Sequence, residues 1–444
     1  MARTTDGLGN AMSGASVTAR GLYEKALGEF QTYAGDPVAT VDQALADSPG
    51  FVMGYALRAW LHLLGTEPSG LPVARDALGI ARDLPAAAQE RGHLAAIGHL
   101  VEGDWMAASR TLEDVSIQHP RDALALQTGH QIDFFTGNAR MLRDRIARAL
   151  PAWNKGMPGY HAMLSMHAFG LEENGDYAAA EAAGRRSVEL EPRDGWGQHA
   201  VAHVLEMQNR TADGIAWMRA NPEAWSTDSF FAVHNWWHLA LYHLDRGEMD
   251  AVFALYDGPI KGGQSQVVLD LIDATAMLWR LHLRGAEVGG RWAAVADAWD
   301  AVGGAGAYAF NDWHAAMAYV GANRPDALEA LEAAATRAVA GVGDNVGFTR
   351  DVGLPLIHAV KAFGAGHFAT AAAMIRPVRG IAHHFGGSHA QRDLVDLTLI
   401  EAAIRGGDAA LATALANERA AIKPHSPVAL SFINKAQGLR QQAA

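Results

Sequence analysis

The chain has 444 residues, half of them apolar, with 36 Lys and Arg against 48 Asp and Glu for a formal charge of −12. That length and apolar content exclude a disordered chain, and the absence of cysteine excludes disulfides, iron–sulfur clusters, thiolate zinc sites and thiol nucleophiles, so any metal must be held by His, Asp or Glu. The acidic balance and scattered basic residues lead us to expect no nucleic acid and no anionic membrane as partner.

The opening "MARTTDGLGNAMSGASVTAR" has no apolar run long enough for a signal peptide, and residues 1–18 are expected to be a flexible N-terminus. "YAGDPVATVDQALADSPGFVMGYALRAWLHLLG" then reads as a first helical hairpin split at Ser48-Pro49. From there Ala, Leu, Arg and Glu fill helical segments and strand signals are nearly absent. Breaks recur at Gly103, Gly137, Gly175, Asn209 and Gly247, 34 to 38 residues apart. Each reads as a left-handed C-cap followed by a new helix opening on Asp, Asn or Thr, the pattern of stacked helical hairpins. Pro120 and Pro192 close the second helix of their hairpins. Arg140, Arg143, Arg145 and Arg148 read as a solvated helix face. The most apolar later stretch, "VVLDLIDATAMLWRLHL", carries Asp270, Asp273 and Arg280 and is no membrane span, so a cytoplasmic chain is expected.

Beyond residue 260 the units lengthen, with breaks near Gly289-Gly290, Asn323, Gly366 and Gly407, and "AGVGDNVGFTRDVGLP" (340–355) reads as a loop. The fold class is therefore all-α: one α-solenoid of about eight or nine hairpins over residues 19–435, with 436–444 as a C-terminal tail. Trp60, Trp105, Trp279 and Trp313 fall in apolar helical patterns and read as core.

The stretch "GLEENGDYAAAEAAGRRSVELEPRD" resembles a tetratricopeptide repeat, with Gly-Asp-Tyr at the turn, Ala180 at the helix crossing and Pro192 closing the unit. Together with "HAVAHVLEMQNRTADGIAWM", "FFAVHNWWHLALYHLDRGEMDAVFALYD", "VVLDLIDATAMLWRL", "YAFNDWHAAMAYVG" and "FGGSHAQRDLVDLTLIEAA", it makes the chain similar to the tetratricopeptide repeat protein 38 family over about residues 20–430. The resemblance implies an all-helical repeat protein and leaves activity open.

In such a repeat the first helix of each hairpin lines the inner surface. His199, His203 and Glu206 share one helical face, since residues four apart lie about 40° from each other. One repeat later His234 and His238 repeat the pair beside Asn235; one repeat earlier His161, Ser165 and Glu172 share a face; one later Asp270 and Asp273 do. Three readings stay open for this polar face. It is a hydrogen-bonded seam packed by Trp236 and Trp237, a groove for a peptide or small polar ligand, or a metal site. The metal set would be drawn from His199, His203, His234 and His238, completed by Glu206 or Asp270, with Zn, Mn or Fe as the divalent ion. A hydrolase, metal-dependent or using His203 or Glu206 as catalytic base, is the alternative; Ala200 stands where helix-borne zinc hydrolases carry their general-base Glu.

The cluster His389, Arg392, Asp393 and Asp396 reads as an internal ion pair behind Ser388, the N-cap of its helix. The segment 386–390 matches a nucleophile elbow only in part, since Ala390 replaces the final Gly. "GVGDNVG" has the wrong glycine spacing for a dinucleotide site, and no phosphate loop occurs, so no nucleotide cofactor is indicated.

Overall fold

A computed structural model describes residues 5–261 and 265–443. Among them regular structure is helical, twenty-five α-helices with short 3-10 and π segments and no strand. Among the described residues, no helix is long and apolar enough to cross a membrane. The chain is all-α and built of tetratricopeptide-like helical hairpins, as its breaks predict.

The described residues form two compact units. The first holds the described residues through Val204 with Asn221–Ala232, the second Leu205–Ala220 with the described residues from Val233 on. The first stacks five hairpins: Val17–Thr32 with Pro37–Asp47, Val52–Leu63 with Gly70–Arg82, Ala88–Val101 with Trp105–Gln118, Ala123–Phe135 with Ala139–Ala149, and Tyr160–Glu172 with Tyr177–Leu190. The second contains four wholly inside it: Val268–Leu283 with Arg291–Val302, Ala309–Gly321 with Pro325–Val339, Leu354–Gly364 with Phe368–Ile375, and His389–Arg405 with Ala409–Ile422. The Pro427–Ala443 helix packs on the last of these and includes 436–443 of the residues expected as a tail.

The predicted turns are left-handed: φ is +89° at Gly103, +66° at Gly137, +81° at Gly175, +56° at Asn209 and +76° at Gly247. At Gly175 the amide donates to Glu172 O at 2.8 Å and Asp176 N reaches back to Leu171 O at 2.9 Å, the six-to-one bond of a Schellman cap. Such a cap satisfies the last carbonyls while reversing the chain, so the second helix returns against the first. At the crossing, Ala180 is fully buried against Leu171 and Val204, where any longer side chain would hold the helices apart.

Four expectations are corrected. Residues 10–13 are pinned, not loose: Met12 is 1% exposed, Asn10 Nδ2 donates to Arg121 O at 3.1 Å and Ser13 N to Glu90 Oε1 at 2.7 Å. Arg145 is no surface residue; it is 1% exposed and bonded to Asp133, whereas Arg140 and Arg148 pair with Asp144 and Glu113 at the surface. The 340–355 stretch is helical from Asn345 onward, as Asn345–Phe348, a π turn Thr349–Gly353 and Leu354–Gly364. Pro355, in the first turn of that last helix, starts a helix instead of breaking one, and Asn345 ties the stretch to Gly306 and Ala309. Trp60, Trp279 and Trp313 are core, while Trp105 is half-buried.

Candidate functional site

In the first unit the Tyr160–Glu172 helix carries His161, Ser165 and Glu172, and the Gly195–Met207 helix carries His199 and His203. His161 is drawn into a clasp that sequence spacing did not reveal. Its Nδ1 lies 2.8 Å from Asp194 Oδ2, which also accepts from Ser187 Oγ, while Asp194 Oδ1 accepts from Gly197 N at 2.8 Å. Asp194 is thus an N-cap and a histidine partner together. The same device recurs two hairpins earlier, where Asp122 caps its helix through Ala125 N and meets His93 Nε2 at 2.9 Å. The signal available in sequence was the helix-opening Asp of "EPRD" and "HPRD", read as punctuation only.

Burial works against both charges of the His161–Asp194 clasp, but their mutual hydrogen bond and attraction win, leaving His161 raised and Asp194 lowered from their usual values. The raised imidazole stabilises the fold fully below the ordinary histidine value and loses that effect as pH rises through its folded value. The lowered carboxyl acts above the ordinary Asp value and is lost as pH falls through its folded one. The clasp is therefore strongest between about pH 4 and 6.5. Across thermal melts from about pH 4 to 9, His161→Gln should lower the melting temperature most inside that window and least at the alkaline end. An equal loss at every pH would show that the clasp carries no charge.

Ser165 is buried and donates to Ala162 O at 3.0 Å, so its hydroxyl serves its own helix. His199 and His203 meet edge to face, ring centroids 4.3 Å apart, walled by Phe169, Trp196 and Phe231. His203 Nδ1 stands 3.7 Å from Glu172 Oε2, both groups fully buried. Glu173, absent from the residues singled out by spacing, joins them: Glu172, Glu173 and His203 each place a ligand atom within 4.8 Å of the others. Face-sharing missed Glu173 because it follows Glu172 in helical conformation and so lies about 100° round the helix from it.

Glu206 counts with the second unit, as do His234, Asn235, His238, Asp270 and Asp273. Of the expected four histidines, His199 and His203 belong to the first unit and His234 and His238 to the second. His234 Nδ1 lies 2.8 Å from Asp273 Oδ2. His238 Nδ1 is 3.3 Å from Glu206 Oε2, which is half-buried and 3.6 Å through its other oxygen from Lys423 Nζ. Burial, with the charges of His234 and Arg280, holds His238 well below the usual histidine value, so it stands as a neutral imidazole. Asn235 is fully buried, and burial pushes Asp270 up to about 6. Hydrogen-bonded His–carboxylate pairs form at His161–Asp194 and His234–Asp273, and Glu172, Glu173 and His203 converge with ligand atoms within 4.8 Å of one another.

Ser388 is the N-cap, its hydroxyl accepting from Gln391 N. Asp393 and Asp396 find partners on other helices, Asp393 with Arg419 at 2.7 Å and Asp396 with Arg379 at 2.8 Å, and Arg392 donates to Gly387 O.

No protein-family model matches the chain. Among solved structures it is similar to that of a monomeric mutant of IFIT1 with Gppp-AAAA, at 13% identity, 96% of each chain covered and a TM-score of 0.42. Since a similar chain was solved with Gppp-AAAA, the expectation of no nucleic-acid partner, drawn from the acidic balance, is withdrawn.

Proposed function

We propose that this is a helical-repeat ligand-binding protein in which Glu172, Glu173 and His203 hold a divalent cation, and that a small polar ligand or a peptide segment binds through it. The observation that carries this is the convergence of the three ligand atoms within 4.8 Å, all in buried residues. Two carboxylates and one imidazole suit Zn, Mn or Fe. Glu172 and Glu173 stand at the C-terminal, negative end of the Tyr160–Glu172 helix, a place that favours a cation. The aromatic rings around His199 and His203 lower the local dielectric, which strengthens a metal–ligand attraction once formed. The similarity to the tetratricopeptide repeat protein 38 family belongs to the same proposal.

Three protein ligands leave coordination positions for a ligand or for water. That is the observation favouring the rival, a metal-dependent hydrolase in which a bound water attacks. Elemental analysis of the full chain, purified without chelator, should find close to one Zn, Mn or Fe per chain, with Glu173→Gln weakening retention about tenfold or more. Protein that stays metal-free and shows no change in melting temperature with any of the three ions would remove the proposal. Metal-loaded protein that cleaves simple ester or phosphoester substrates, an activity lost in Glu172→Gln, would move the assignment to the hydrolase.

A further inference from the structure

The second unit has a pocket independent of the cluster just proposed, enclosing about 620 Å³ with its open mouth included. Its walls carry four cations, Arg280, Arg284, Arg419 and Lys423, and four carboxylates, Glu206, Asp245, Asp393 and Glu401. An equal count conceals an unequal arrangement. Asp393 is held by both ends of the Arg419 guanidinium at 2.7 and 3.0 Å. Glu206 lies 3.6 Å from Lys423, and Glu401 is bound by Arg405 and Lys435. The acids that act on Arg280 are Asp393, Glu206 and Asp273, and those on Arg284 are Asp245 and Glu401, and each of them already has another partner. Asp245 is itself occupied, accepting from Ser426 Oγ at 2.6 Å and, with the amide turned to donate, from Asn209 at 3.1 Å.

Arg280 and Arg284 sit four residues apart on the Val268–Leu283 helix and its C-cap, so both project from one face. Arg280 is 4% exposed, lies over the Trp237 ring and donates to Ala390 O at 2.5 Å. Arg284 donates one Nη to Leu244 O at 2.5 Å. Carbonyl oxygens orient these guanidiniums without neutralising them. Burial lowers both from the usual arginine value, Arg284 to about 10, yet both keep their charge at neutral pH. A buried cation with no carboxylate in contact is costly unless something anionic reaches it. Arg419 adds an Nε that is buried in the same wall and makes no hydrogen bond.

We propose that this pocket binds a small oxyanion, a carboxylate or phosphate group received by the guanidiniums of Arg280 and Arg284. The planar forks supply paired donors to its oxygens.

Calorimetric titration of the full chain with inorganic phosphate and, separately, with succinate tests this. Saturable binding of either probe is expected at low ionic strength, weakened about tenfold or more in Arg284→Gln at unchanged melting temperature. Binding of phosphate alone assigns a phosphoryl ligand, and binding of succinate alone a carboxylate. If Arg284→Gln folds poorly, Arg284→Lys, which keeps the charge and loses the fork, should still weaken binding several-fold. No saturable heat with either probe up to about 10 mM, or affinities indifferent to both substitutions, would overturn the proposal.

Discussion

Asp133→Ala is expected to destabilise the first unit by about 3–5 kcal/mol, because it strands a buried cation. Arg145 is 1% exposed and Asp133 is fully buried. Arg145 Nε donates to Asp133 Oδ2 at 2.8 Å, its Nη2 donates to Asp133 Oδ1 at 3.2 Å and to Ser109 Oγ at 2.9 Å, and Ser109 Oγ closes the ring on Asp133 Oδ1 at 2.6 Å. The network joins three helices of consecutive hairpins. Room for it comes from Gly129, where an added Cβ would stand 2.6 Å from Arg145 Cζ. A glycine in a helix interior costs about 1 kcal/mol against alanine, and here that cost admits the guanidinium. The double substitution Asp133→Leu with Arg145→Met should recover most of the loss, since apolar replacement of a whole buried pair is often neutral or better. Thermal and urea melts of the three proteins check this. A loss under about 1 kcal/mol for Asp133→Ala would mean that water reaches Arg145 in the native state.

The same residues show what could be read without coordinates. Turn chemistry is local, so Gly175 and Asn209 announced their left-handed caps, and the hairpin architecture followed from their spacing. Charge location is not local. Arg145 is one of four arginines, with Arg140, Arg143 and Arg148, in a run that spacing cannot sort into outer and inner positions, and Asp133 and Ser109, brought from two other helices, turn it inward. Likewise His161 and His234 were legible as members of polar faces, but their partners Asp194 and Asp273 come from the following repeat. The 340–355 stretch failed for a related reason. Its glycines and Pro355 argue for a loop residue by residue, and bonds from Asn345 to Gly306 and Ala309 hold it helical. Glu173 escaped because, one residue past Glu172, it lies about 100° round the helix from the face that spacing selected. Patterns along one element were readable, while pairings across elements needed the fold.

Trp279→Ala should cost the second unit about 3–5 kcal/mol, the range for deleting a large buried aromatic side chain. Trp279 is fully buried. It stacks on His282 and meets Trp292 and Phe363 at ring-centroid distances of 6.3 and 5.7 Å, so four aromatic rings from three helices share one cluster. Its indole Nε1 donates to Thr398 Oγ1 at 3.0 Å, fixing a fourth helix, His389–Arg405. Thr398 Oγ1 in turn donates to Leu394 O at 2.7 Å, so losing the indole leaves the threonine proton satisfied. Trp279→Phe should therefore lose only part of the ring volume and one hydrogen bond, about 1–2 kcal/mol. The ratio of the two losses separates packing from hydrogen bonding. Hydrogen exchange should show amides of the Val268–Leu283 and His389–Arg405 helices losing protection in Trp279→Ala, with those of Tyr160–Glu172 unchanged. Equal losses for the alanine and phenylalanine variants would assign the effect to the Thr398 hydrogen bond and remove the packing argument.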